Sequence, residues 1–488
     1  MKKAIGLVVA VLVMVGGVAP YGFGIRTEET LTTLVQLAEA ILDIPIYTTR
    51  YTRGWFRSMA ETWLALPPEV ADAFRAYVPF VLTHSARAEG LTMVHRILHG
   101  PFPIGLRPGS TVSLLPVQTI LTSSLVPGLP GVSRDGQSAK ARPILQVYTT
   151  VFLHGAGQGH VFMPAFTFPP EAQSEADIVW DGLQGDVAVD AQGQHVTGAF
   201  QSPGLQLQLV GEEKKFAMRD AVMRTEVSAE RRYESHSTTF VGVGSVAVTH
   251  HTDAQATWAV TGAELRATTT TASGTLQAVA DGQLVTLRLV DASYDSGTAH
   301  LELHRLYLPA LVRLLQELRE LWQDEPALTA FWGRLLFSEE LARLLSDLAR
   351  PSPEFVLTRV SLHTPDGEIR ARVQVRVDGN RLLAPGYLSQ LLQTVEAEAE
   401  GEAPASWVRT TAIAQVRQAL RARSRLAAWV SDSVLDMLAT TITDQQLRSL
   451  VAQEYLVLDG NIYKSKARYI HGQLLVQGKP VDLPALAP

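Results

Sequence analysis

The sequence predicts an α+β protein: a body rich in antiparallel sheet, with helical segments, behind one N-terminal transmembrane helix. Three observations carry this expectation. Apolar residues alternate with period two over most of residues 44–305, the spacing changes to a helical one from Leu306, and residues 4–25 contain no charged side chain. The expected organisation is a cytoplasmic tip and anchor over 1–25, a mainly β body over 26–305, and an α+β C-terminal unit over 306–488 that ends in a β-hairpin.

The anchor comes first. At about 1.5 Å per residue, residues 4–25 would span roughly 33 Å as a helix, enough for a hydrocarbon core of about 30 Å. A secretion signal has a shorter apolar run, and the small-residue pattern Gly17-Val18-Ala19 is followed by Pro20, a poor residue to place after a cut. A retained anchor is therefore expected. Lys2 and Lys3 favour a cytoplasmic N-terminal side, which puts the chain after Arg26 in the periplasm as a single-pass inner-membrane protein.

Composition narrows the chemistry. The chain has 488 residues and no cysteine, which excludes disulfide scaffolds, thiol nucleophiles and thiolate metal sites. With 46% hydrophobic and 18% charged residues it is a folding chain rather than a disordered one. A net charge of −6 argues against a nucleic-acid partner.

Along the body, a helix is expected over 67–82 in "PPEVADAFRAYVPFVL". Strands follow in "GLQLQLV", "QLVTLRLVD" and "TAHLELH", where Leu301 and Leu303 face away from His300, Glu302 and His304. Asp181-Gly182, Gln192-Gly193 and Asp281-Gly282 read as turns. From Leu306, Leu308, Leu311, Leu315, Leu318 and Trp322 form one helical stripe, and a second helix runs from Ser338 to a stop at Pro351. Two strands joined at Asp366-Gly367 come next, then a helical stretch over 384–455 interrupted by the acidic "EAEAEGEAPAS". Strands over 461–470 and 473–477 around His471-Gly472 close the chain.

No catalytic residue, metal ligand or cofactor site emerges. "FLHGAGQGH" over 152–160 resembles the oxyanion loop of hydrolases, but no Gly-x-Ser-x-Gly elbow accompanies it, so a loop is expected. His300, Glu302 and His304 share a strand face, yet His300 and His304 lie about 13 Å apart along it, so a hydrated polar face is the better reading. His250 and His251 point to opposite faces. Arg370, Arg372 and Arg376 line one strand face. Arg417, Arg421 and Arg425 recur at helical spacing and are candidates for anionic-lipid contact.

Three patterns in this order resemble the YdgA-like family of bacterial inner-membrane and periplasmic proteins of unknown function. They are Tyr51, Arg53, Gly54 and Phe56 in "TRYTRGWF"; His99, Gly100, Pro101, Phe102 and Pro103 in "HGPFPIG"; and Gly472 and Gly478 in "YIHGQLLVQGKPVDL". The resemblance implies one membrane span with a periplasmic body and brings no catalytic residues. Each motif also has a structural reading, as a bulge, a stiff strand exit or a turn. The expected function is a non-enzymatic structural or partner-binding role in envelope maintenance. Its partners would be the membrane, through the N-terminal helix, and an envelope protein or a lipid. The alternatives are a lipid-binding or lipid-transport protein of AsmA-like architecture, marked by an open apolar groove, and a hydrolase.

Overall fold

The computed structural model describes residues 25–29, 31–32, 35, 39, 45–65, 90–99, 117–127, 143–168, 176–209, 214–231, 234–250, 256–289, 292–311, 313–314, 343, 346–379, 393–423 and 431–481. Of these, 67% lie in strands and 20% in helices, and the strand pairing is antiparallel. This corrects the α+β expectation, because sheet dominates both halves of the chain. No helix among the described residues is long and apolar enough to cross a membrane. Residues 4–24 of the expected anchor, and the expected helix over 67–82, lie outside the described residues.

Two compact units divide the chain, 1–228 with 239–257 and 229–238 with 258–488. In the first, β1 (Ile46–Thr52), β2 (Arg57–Ala65), β3 (Gly90–His99), β4 (Val117–Pro127), β5 (Leu145–Phe152) and β6 (Gly157–Met163) pair in sequence order. Then β6 pairs with β9 (Leu183–Val189) and β9 with β10 (His195–Leu209). On the other half of β10, β8 (Ala176–Trp180) takes the place of β9 and carries β7 (Phe166–Phe168). The far edge of β10 pairs with β11 (Lys214–Arg231), and β12 (Glu234–His250) follows. Helical residues 25–29 and 31–32 pack against β4, where Thr27 bonds Thr119 at 3.0 Å and Leu31 is buried.

In the second unit, β13 (Ala256–Ala272), β14 (Thr275–Leu289), β15 (Ala292–Tyr307), β16 (Glu354–Thr364), β17 (Gly367–Val377) and β18 (Val395–Pro404) form a meander. Two helices, α1 (Ala405–Arg423) and α2 (Asp432–Ala452), then pack antiparallel. β20 (Ile462–Ile470) pairs with β18 on one edge. Its other edge carries β19 (Val457–Asp459) and β21 (Gln473–Val476), and β22 (Lys479–Val481) pairs with β21. The two terminal turns are tight because His471-Gly472 and Gln477-Gly478 have positive φ at both central residues (53° and 83°, 50° and 78°). That conformation matches the twist of a two-residue hairpin and favours glycine second.

Two sequence expectations change here. The acidic stretch expected to interrupt a helix is strand β18. Its glutamates alternate with small residues, so all of them point to one face, between the cations of β17 and β20. Asp281-Gly282, expected as a turn, lies inside β14 opposite His300 and Ala299. The hairpin at Asp366-Gly367, the start of a helix at Leu308 and the turn at Pro351 follow the sequence reading, whereas 315–342 lie outside the described residues.

Candidate functional site

The charged face of the second unit is built by register. Arg370, Arg372 and Arg376 on β17 stand opposite Glu402, Glu400 and Glu396 on β18. Glu402, Glu400 and Glu398 in turn stand opposite Lys464, Lys466 and Arg468 on β20. An acidic strand thus lies between two basic ones. Arg370 bonds Glu402 at 3.1 Å and Glu368 at 2.5 Å, and Arg376 bonds Glu354 at 2.9 Å. Lys466 bridges Glu398 and Glu400. The hydrogen bond from Lys466 holds the Glu398 carboxyl below its usual range, and the one from Arg376 does the same for Glu354. These pairs are partly exposed, so each contributes little alone; their value is in fixing strand register.

Over this face opens a groove of about 780 Å³, whose walls include Arg359, Arg370, Arg372, Lys464 and Lys466. Arg359 reaches it through a β-bulge. Leu357 pairs with Val373 and Val360 with Ala371, so Thr358 and Arg359 both oppose the single residue Arg372. The bulge holds Arg359 at φ 53°, a backbone region unfavourable to a side chain of this size.

On the same face, Asp281, His300, Glu302 and His304 form a hydrogen-bonded chain. His300 Nδ1 lies 2.6 Å from Asp281, His300 Nε2 3.0 Å from Glu302, and His304 Nε2 2.9 Å from the other Glu302 oxygen. The hydrogen bond to Asp281, then that to Glu302, raises the His300 pKa. The bonds from His304 and His300 lower that of Glu302. Both His300 nitrogens are occupied by carboxylates. No cluster of three or more potential ligands able to hold a metal ion occurs among the described residues.

The first unit contains a buried polar seam. His95, Ile97 and His99 share a face of β3 with Ser58 and Thr62 on β2 and with Thr119 and Ser123 on β4. His95 bonds Thr62 at 3.0 Å and Ser123 at 2.7 Å; His99 bonds Ser58 at 2.7 Å. Burial lowers the pKa of both imidazoles, that of His95 to about 4. The serine–histidine pairs superficially suggest an activated nucleophile, but His99 is 1% and Ser123 5% exposed, so no substrate reaches them. Glu61, also buried, sits on the opposite face of β2 and cannot orient either ring.

Of the motif residues, Tyr51, Arg53, Gly54, Phe56 and His99 fall around one end of this seam, whereas Gly472 and Gly478 form the terminal turns of the second unit. Tyr51 hydrogen-bonds Ser58, and burial raises its pKa. Arg53 pairs with Glu28, Phe56 is exposed and its carbonyl accepts from the His99 amide at 2.9 Å. A Cβ on Gly54 would lie 2.3 Å from the Arg57 carbonyl oxygen, so the β1–β2 turn has room only for glycine. Gly100, Pro101, Phe102 and Pro103 lie outside the described residues, as do His251 and Arg425. Arg417 and Arg421 face α2, where Arg417 pairs with Asp436 at 3.2 Å and Arg421 with Asp432. "FLHGAGQGH" is the β5–β6 hairpin, and His160 bonds Asp186 at 2.9 Å.

His95 escaped the sequence reading, although its spacing of four from His99 places both on one strand face. Arg359 gave no sequence signal at all, because a bulge appears only once two strands are in register.

Fold and site together define an antiparallel β-sheet protein in whose second unit an acidic strand is paired between two basic ones. Residues 1–484 match the family model DUF945, described as bacterial protein of unknown function, and the chain belongs to that family. No curated protein and no solved structure matches it.

Proposed function

We propose that this is a non-enzymatic protein of the bacterial envelope, whose sheet body is exported and held at the inner membrane by the apolar residues 4–25, and which acts by binding or spacing partners. One observation carries the non-enzymatic part. The pairs His95–Ser123 and His99–Ser58 are sealed inside the first unit, the pairs His195–Ser228 and His363–Ser296 lie on the sheet surface outside the groove lining, and the groove itself is lined by charged side chains without a histidine beside a hydroxyl nucleophile. Charge supports the location: Lys2 and Lys3 precede the apolar run, and Arg26 is the single basic residue close behind it.

Protease added to intact spheroplasts tests the placement. It should digest the body while leaving a tag ahead of Lys2 intact, and a protected body would overturn the proposal. The chemistry is tested separately by Ser58→Ala and Ser123→Ala. Both should lower thermal stability and leave any cellular phenotype in proportion to the folded protein present. A phenotype lost at unchanged stability would point to catalysis.

A further inference from the structure

We infer that the groove over β16, β17, β18 and β20 binds a multiply charged oxyanion of the phosphomonoester or pyrophosphate type, with Arg359 and Arg372 as its primary ligands. The walls carry five cations, Arg359, Arg370, Arg372, Lys464 and Lys466, against three carboxylates, Glu368, Glu400 and Glu402. The cations are not equally committed. Arg370, Lys464 and Lys466 each make ion pairs, with Glu402, Asp459 and Glu400 among their partners. Arg359 and Arg372 make none among the described residues, although Arg372 lies within electrostatic reach of Glu398.

The bulge makes this more than a surplus of charge. In regular alternation Arg359 would fall on the same side as Leu357, away from the charged face; the extra residue turns it to oppose Arg372. Two cations facing each other across strands repel, and the positive φ of Arg359 adds strain that glycine at the same place would relieve. Both costs are offset if an anion sits between the two guanidinium groups. Each presents a planar fork of donors suited to two oxygens of one tetrahedral group. At about 780 Å³ the groove has room for an organic body attached to that group.

Calorimetric titration of the full chain in detergent with inorganic phosphate and with pyrophosphate, against sodium chloride at matched ionic strength, tests it. Flotation with phosphatidylcholine vesicles, with and without phosphatidic acid, forms the second arm. Saturable heat with the soluble anions assigns a soluble phosphate ligand; phosphatidic-acid-dependent flotation without such heat assigns a lipid headgroup. In either case Arg359→Gly and Arg372→Gln should each weaken binding roughly tenfold or more. Arg359→Gly should leave the melting temperature unchanged or raised, since glycine accepts that φ. No binding in either arm, or binding that survives both substitutions, overturns the inference.

Discussion

His95 and Ser123 are joined across β3 and β4 by a 2.7 Å hydrogen bond, with both side chains buried. The other ring nitrogen of His95 meets Thr62, so a neutral imidazole is satisfied by two hydroxyls, and a protonated one has no carboxylate partner in its hydrogen bonds. Burial lowers its pKa from 6.5 to about 4. The unfolded chain therefore takes up a proton between pH 6.5 and 4 that the folded chain refuses. Stability is fully present above that window and falls as pH drops through it, by about 3 kcal/mol from this group. Urea midpoints measured between pH 7.5 and 4.5 should show the decline, and His95→Gln should flatten it. Parallel curves for the two proteins would refute the assignment.

Gly54 is tested by the smallest possible addition. Gly54→Ala places a methyl group 2.3 Å from the Arg57 carbonyl oxygen, which is backbone and must move with the turn. A loss of about 1–3 kcal/mol is expected, in the range of overpacked sites. Thermal denaturation reads it directly, and a midpoint equal to wild type would show that the turn yields freely.

His300 behaves in the opposite sense to His95. Its contacts with Asp281 and Glu302 raise its pKa, so the stabilisation it gives is present at low pH and is lost as pH rises through the raised value. Proton NMR titration should place it above 6.5, and Asp281→Asn should bring it down. A value at or below 6.5 in the wild type would mean that the chain of bonds is not formed.

The sequence readings succeeded where a short range of residues carries the whole signal. His300, Glu302 and His304 alternate with Leu301 and Leu303 strongly enough to fix a strand face, and His471-Gly472 has the chemistry of a tight hairpin. They failed where a partner strand decides. Glutamate and alanine both favour helices, so β18 has no apolar alternation to betray it; the cations of β17 and β20 make it a strand. Asp281-Gly282 has turn chemistry, yet His300 holds the aspartate and Ala299 lies opposite the glycine, so pairing overrides local preference. The charged groove was legible as a stripe of arginines and the buried seam only at His99.

Thr443 sits on the buried stripe of α2 with Leu435, Ala439 and Leu447, and its hydroxyl makes no hydrogen bond among the described residues. Valine has nearly the same shape and similar helix propensity, so Thr443→Val removes an unsatisfied polar atom without opening a cavity. A gain of about 1 kcal/mol is expected in urea denaturation. A loss would mean that the hydroxyl has a partner.

The two helices are registered by three ion pairs that step along their length: Arg409 with Asp444, Arg417 with Asp436, and Arg421 with Asp432. Arg409 binds through two nitrogens, at 2.6 and 2.9 Å, which makes it the most directional of the three. All are partly exposed, so a single alanine substitution should cost less than about 1 kcal/mol. Reversal acts differently, because Arg417→Glu with Arg421→Glu sets carboxylates against Asp436 and Asp432. That double variant should melt lower, and more so at low ionic strength, where screening is weakest. Adding Asp432→Lys and Asp436→Lys should recover most of the loss by restoring opposite charges across the seam. If the double reversal leaves melting untouched at low salt, these arginines are not holding the helices together and are available to an external anion.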